Sequence, residues 1–269
     1  MRAPRLSRPS RPEAEDPVRT TPHRSPSDRE ERRADAPLRD AELAAAFDRA
    51  AASYDRLVAA NPGYHSHLRR SARRLRLPDG GAGLRVLDLG CGTGASTAAL
   101  LRAAPHAEII AVDASAGMLE RAAAKRWPPN VRFVHAPVER LADAGVHGPF
   151  DAAFAAYLLR NVADPDGVLA AIHALLGPPL GRLAVHEYTL SGSPLHRAVW
   201  TAVCRGIIVP AGSLTGDAAL YRHLRRSVAE FDTVGELRER LAAAGFRDVR
   251  ALPVSGWQTG IVHTVVGRR

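Results

Sequence analysis

The chain has 269 residues, 46% of them hydrophobic, enough for a sizeable core in one large domain. Its two cysteines, Cys91 and Cys204, exclude a disulfide framework and stand in no metal-ligand spacing, and no apolar run approaches the roughly 18 residues that a membrane span requires. The net charge of +9 is carried by dispersed arginines without interleaved aromatics, a pattern that argues against a nucleic-acid surface.

Residues 1–38 are Arg, Pro, Ser and acidic side chains with almost nothing large and apolar. Such a segment buries too little surface to offset its ordering entropy, which predicts a disordered tail. With arginines but no apolar signal segment at its start, the chain is read as cytoplasmic. From residue 40 the pattern is helical: DAELAAAFDRAAASYDRLVAA sets Leu43, Phe47, Ala50, Tyr54 and Leu57 on one face. Asn61-Pro62-Gly63 breaks it, and YHSHLRRSARRLRL reads as a second, basic helix. Residues 39–80 therefore form an N-terminal helical segment before a main domain at 81–269.

In that domain the period changes. LRVLDLG (84–90) is a short apolar run ending in glycine, followed by helix ASTAALLRAA, strand EIIAVD, helix AGMLERAAAK and strand VRFVHA. Strand FDAAFAAY, helix PDGVLAAIHALL and strand GRLAVHEY continue the alternation. A mostly helical insert at 193–228 interrupts it before helix TVGELRERLAAAG and strands FRDVRAL and IVHTVVGR. Alternating strands and helices predict an α/β fold with a mainly parallel sheet covered on both faces.

VLDLGCGTGAS (86–96) places Gly90, Gly92 and Gly94 between a strand and a helix, where backbone can approach a ligand closely. Asp113 ends the next strand, 19 residues after Gly94, where a carboxylate can take two ribose hydroxyls. Gly90-x-Gly92-x-x-Ala95 also nearly fits a dinucleotide fingerprint. Asp88 separates the two readings: a carboxylate repels a pyrophosphate but favours the sulfonium and ammonium of S-adenosylmethionine.

This stretch resembles motif I of class I methyltransferases, which implies a Rossmann-like, seven-stranded sheet of order 3-2-1-4-5-7-6 with the last strand antiparallel. AFDRAAASYD (46–55), YLLRNVADPD (157–166), VPAGSLTGDAALYRHLRRS (209–227) and LAAAGFRDV (241–249) follow in order. Together they resemble the ubiquinone/menaquinone biosynthesis C-methyltransferase family over roughly residues 44–267. The resemblance implies that Asp88, Gly90, Cys91, Gly92 and Gly94 cradle the methionine part of S-adenosylmethionine. Asp113 and Ala114 would meet the ribose and Met118 the adenine, while Tyr54 would lid the methionine end and Tyr157 complete the site. Pro137 and Val138 stand where the family has a polar residue followed by Ala; Pro137 offers neither a polar side chain nor an N–H, which leaves the Val138 N–H.

Arg160 and Asn161 follow what reads as a buried strand, the place where an open α/β sheet holds its ligand. A carbon acceptor needs activation, and a quinol gains it when a phenolic hydroxyl, of ordinary pKa about 10, ionises. A neighbouring guanidinium favours the phenolate; Arg160 is assigned that role and Asn161 the orientation of the oxygen. His65, His186 and Tyr221 are candidates for taking the proton. The structural alternative pairs Arg160 with Asp164 or Asp166, and Glu187 is equally an ion-pair partner or a catalytic group. The insert, which the resemblance places over the acceptor pocket, supplies VWTAVCRGIIVPAG as a wall for a prenyl tail or as ordinary helix packing.

The expected acceptor is a lipophilic quinol such as demethylmenaquinol, with peripheral contact at the inner face of the membrane and a homodimer as further expectations. A phenol or polyketide acceptor in secondary metabolism is the alternative. A nucleic-acid acceptor is disfavoured, because AAYLLRN stands where base-amino methyltransferases carry an Asn/Asp-Pro-Pro-aromatic motif.

Overall fold

A computed structural model describes residues 40–59, 61–208, 210 and 218–269; the 1–38 tail and most of VPAGSLTGD (209–217) lie outside the described residues. Seven strands form one sheet: β1 (Arg85–Leu89), β2 (Glu108–Asp113), β3 (Val131–His135), β4 (Ala152–Ala156), β5 (Arg182–Tyr188), β6 (Arg247–Pro253) and β7 (Val262–Arg268). Their order is β3-β2-β1-β4-β5-β7-β6. β7 runs antiparallel to both of its neighbours, and the other pairs are parallel.

Eight α-helices accompany the sheet among the described residues: α1 (Asp40–Ala59), α2 (Tyr64–Arg73), α3 (Ala95–Ala103), α4 (Ala116–Ala123), α5 (Pro165–Leu175), α6 (Pro194–Val203), α7 (Ala218–Glu230) and α8 (Val234–Ala243). Local chemistry sets their starts. Ser115 accepts from the Met118 N–H at the head of α4, and Asp164 accepts from the Gly167 N–H before Pro165 at the head of α5. Thr233 and Glu236 close a reciprocal capping box on α8. No described helix is long and apolar enough to cross a membrane.

The sheet buries both faces, so its central strands read as continuous apolar runs; all five residues of β4 are buried. Leu87, Leu89, Ala153 and Ala155 pack on one side with Leu169, Ile172 and Leu241. Val86, Phe154 and Ala184 pack on the other with Leu68, Ala99 and Leu100. Chain order reverses between β1 and β4, which are neighbours in the sheet. That switch point leaves a crevice at the strands' carboxyl ends, where α/β sheets bind ligands. α1 lies apart from this core: its Leu43, Ala46 and Ala50 pack on Leu220 of α7.

Candidate active site

The crevice is a cavity of about 720 Å³, within the roughly 300–1,000 Å³ of small-molecule sites. The glycine loop and the end of β2 line it with Gly90, Cys91, Gly92, Asp113, Ala114 and Met118. α1 contributes Phe47 and Tyr54, the turn at 136–140 contributes Pro137 and Val138, and the end of β4 contributes Tyr157, Arg160 and Asn161.

The loop's backbone says which ligand fits. The Gly90 and Cys91 N–H groups both donate to the Val112 carbonyl, at 2.9 and 3.0 Å, and Gly94 donates to the Cys91 carbonyl. The Gly92 N–H donates to Asp113 Oδ2 at 2.7 Å. Four donors that would cradle a pyrophosphate are thus satisfied within the protein. Gly92 has a left-handed φ of +54° and nothing within 4 Å of where a Cβ would stand, so open space adjoins its Cα. Asp113 Oδ1 accepts from the Ser115 N–H at 2.9 Å, which fixes a carboxylate on the wall; burial raises its pKa against these bonds. A carboxylate on the wall without a phosphate nest suits the ribose of S-adenosylmethionine better than a dinucleotide.

Asp88 is not on that wall. Alternation along β1 turns it to the same face as Val86, beneath α3, where Thr97 Oγ1 and Ser96 Oγ donate to its Oδ2 at 2.7 and 2.9 Å. It is fully buried and its Oδ1 has no partner, so burial pushes its pKa up to about 7 despite the two hydroxyls. The direct contact expected between Asp88 and the cofactor's cationic end is therefore replaced by support from behind the loop. Gly94 also stands back; it opens α3 at φ +89° with the Trp127 ring against its Cα.

At the end of β4, Tyr157 adopts φ +57°, rare for a residue with a side chain. Its carbonyl accepts from Arg160 Nη1 at 2.6 Å and from Asn161 Nδ2 at 2.9 Å. Arg160 Nη1 also reaches Glu187 Oε1 at 3.1 Å, with the two side chains 7% and 0% exposed. Arg160 therefore pairs with Glu187 rather than with Asp164 or Asp166: Asp164 caps α5, and Asp166 pairs with Arg240. Burial raises Glu187 against the opposing charge of Arg160. Arg160 Nε is buried without a partner. Tyr64 stacks on Tyr157 with ring centroids 5.7 Å apart, and burial holds both phenols well above their ordinary pKa, so they remain protonated donors.

Three proton-acceptor candidates do not line the cavity. His65 is exposed on α2. His186 is fully buried within β5, between the Tyr157 hydroxyl at 3.1 Å and Thr264 Oγ1 at 3.3 Å. Burial, with His67 and Arg74 adding to it, lowers its pKa to about 3. Tyr221 is partly buried on α7. Among the described residues, the 193–228 insert puts no side chain on the cavity wall. It reaches the site through His223, whose Nε2 lies 3.1 Å from Asn161 Oδ1.

Sequence reasoning missed His223, Asp48 and Asp55. Asp55 Oδ1 accepts from Thr93 Oγ1 at 2.5 Å, and its Oδ2 meets Lys125 Nζ at 2.7 Å. Asp48 Oδ1 accepts from the Gly117 N–H at 2.9 Å. The signal for these two was their spacing of seven, two turns along one face of α1.

A family model described as the ubiE/COQ5 methyltransferase family matches residues 36–267. A ubiquinone/menaquinone biosynthesis C-methyltransferase UbiE from Syntrophotalea carbinolica is 35% identical over 228 residues, covering 83% of this chain and 92% of that protein. A demethylmenaquinone methyltransferase from Clavibacter sepedonicus is 32% identical over 220 residues, covering 81% and 87%. In structure, a Haloferax volcanii methyltransferase solved with the Trm112 activator aligns with a TM-score of 0.58 at 18% identity, over 86% of this chain and 98% of that one. Human N-acetylserotonin methyltransferase in complex with SAM aligns at 0.51 and 18% identity, over 75% and 51%. These structural likenesses carry the fold alone.

Proposed function

The chain belongs to the ubiE/COQ5 methyltransferase family, and from that premise we propose that it C-methylates a prenylated quinol such as demethylmenaquinol. The observation that carries the reading is that one cavity is lined both by the glycine loop with Asp113 and by Arg160 with Asn161. Cofactor residues and a polar acceptor turn thus share a single wall.

S-adenosylmethionine, when bound, supplies an electrophilic methyl group whose departure needs no further activation. Asp113, Gly92, Met118 and Val138 are the residues assigned to hold it. The chain's remaining task is to align the acceptor, exclude water and make a ring carbon nucleophilic. Phe47 and Tyr54 on α1 shield the cavity from solvent. Arg160 and Asn161 offer N–H donors to the phenolic oxygen beside the reacting carbon. N–H donors bind a phenolate oxygen more strongly than the neutral hydroxyl, so they favour the ionised ring. Glu187 compensates part of the Arg160 charge, and the effect on the phenolate is correspondingly that of oriented N–H dipoles more than of a bare cation.

Purified protein mixed with S-adenosylmethionine and a short-chain demethylmenaquinol kept reduced should yield a ring heavier by one methyl group in mass spectrometry. Absence of that product from a folded protein that binds the cofactor would move the acceptor to another class. Peripheral membrane contact and a homodimer belong to the same proposal; sedimentation with anionic vesicles and light scattering test them.

A further inference from the structure

The Asn161 amide is held from two sides. Its Nδ2 donates to the Tyr157 carbonyl at 2.9 Å, a group that can only accept. Its Oδ1 must then face His223, at 3.1 Å from Nε2. An amide oxygen cannot donate, so Nε2 carries the hydrogen of that contact. Rotating the amide by half a turn would set its oxygen against the Tyr157 carbonyl, a repulsive contact whichever tautomer His223 adopts. Burial, reinforced by the charges of Arg160 and Arg226, lowers His223 to about 4, so the ring is neutral near pH 7 with its single hydrogen on Nε2.

We propose that His223 is a positioning residue: by donating from Nε2 to Asn161 Oδ1, it locks the Asn161 amide so that its second Nδ2 hydrogen is offered to the acceptor molecule. Asn161 lines the cavity and His223 does not, so His223 acts only through Asn161. The lock also makes Asn161 a donor in the site, since it holds the oxygen toward His223 and leaves the amide N–H for the cavity. An acceptor oxygen that has lost its proton fits that environment, and a hydroxyl seeking an acceptor does not. This clause about the acceptor rests on the quinol reading; the His223–Asn161 lock itself does not. The contact spans 62 residues and ties α7 of the insert to the turn after β4.

The test compares H223Q with H223N. A glutamine amide reaches the place of Nε2, whereas an asparagine amide stops near the place of Nδ1. Both substitutions are polar, and a packing role would show as lower stability of H223N, the smaller side chain, in urea unfolding. The lock predicts that H223N lowers kcat on short-chain demethylmenaquinol by about tenfold, the worth of one hydrogen bond. H223Q should recover most of that loss, with the dissociation constant for S-adenosylmethionine unchanged in both. The second readout needs no turnover: the side-chain amide resonance of Asn161, identified by its loss in N161A, should stay in place in H223Q and shift in H223N. Equal kcat in the two variants together with an unmoved Asn161 resonance would overturn the proposal. If the wild-type chain does not methylate the quinol, the acceptor reading fails, and the resonance still decides the lock.

Discussion

Asp48 and Ser115, 67 residues apart in sequence, meet at 2.5 Å through Oδ1 and Oγ, so the first helix is fastened to the head of α4. One turn pair further on, Asp55 fastens the same helix to Thr93 and Lys125. Two carboxylates on one face thus hold α1 over the cavity it lines with Phe47 and Tyr54. D48A should weaken cofactor binding about fivefold, since a partly exposed charged contact contributes on the order of 1 kcal/mol. Calorimetric titration gives the affinity, and stopped-flow fluorescence should show quicker cofactor release. Unchanged release would mean that α1 stays in place without this contact.

The glycines of the loop should separate by their surroundings. At Gly92 an added Cβ meets open space, so G92A should cost only the left-handed φ, about 1–2 kcal/mol. The new methyl group projects into that space, and cofactor affinity should fall along with it. At Gly94 a Cβ would stand 2.7 Å from Trp127 as well as at positive φ. G94A should therefore lose more stability than G92A in urea unfolding, with the Trp127 fluorescence displaced. The reverse order would show that the Trp127 side chain yields readily.

Much of the sheet was legible because buried parallel strands are contiguous apolar runs. VLDL, IIAV and AAFAA could hardly be anything else between glycine or aspartate stops, and helical spacing filled the gaps. The cavity side of the site was legible where a residue's place on the chain fixes its place in space, as for Asp113 at a strand end. It was not legible where alternation decides. Asp88 and its neighbour Leu89 point to opposite faces, and a strand-end carboxylate reads the same in sequence whichever face it takes. His223 was invisible for another reason: its partner comes from a turn 62 residues earlier, and nothing local in YRHLRRS marks it.

The Arg160–Glu187 pair is buried on both sides. Removing one partner leaves the other charge uncompensated, so R160A and E187A should each cost about 3–5 kcal/mol in chemical denaturation. The double substitution R160M/E187M removes both charges and fills the space with apolar chain. It should be more stable than R160M or E187M alone, and the cycle through these two single variants measures the coupling. Its methyl transfer should nevertheless fall sharply, because the Arg160 donors beside the acceptor are gone and only Asn161 remains. Undiminished activity in the double variant would relieve Arg160 of its assigned role.

His186 gives the chain a built-in sensitivity to acid. Its folded pKa of about 3 lies below the ordinary value of 6.5, because the buried ring between Tyr157 and Thr264 refuses a proton. The unfolded chain accepts that proton as pH falls through about 6.5. Stability is therefore full above that pH and declines below it, until the folded ring itself titrates near the lower value. Between pH 7 and pH 5 this one ring should remove about 2 kcal/mol of unfolding free energy. His223, lowered to about 4, and His263, also lowered, act in the same direction. The slope of unfolding free energy against pH separates their contributions: H186Q has no ring to titrate, so its slope should be shallower than wild type by about 0.7 proton on average between pH 7 and 5, approaching one proton near pH 5. An unchanged slope would mean that the folded chain opens enough to protonate His186 where it lies, and that the Tyr157–His186 contact is not kept in solution.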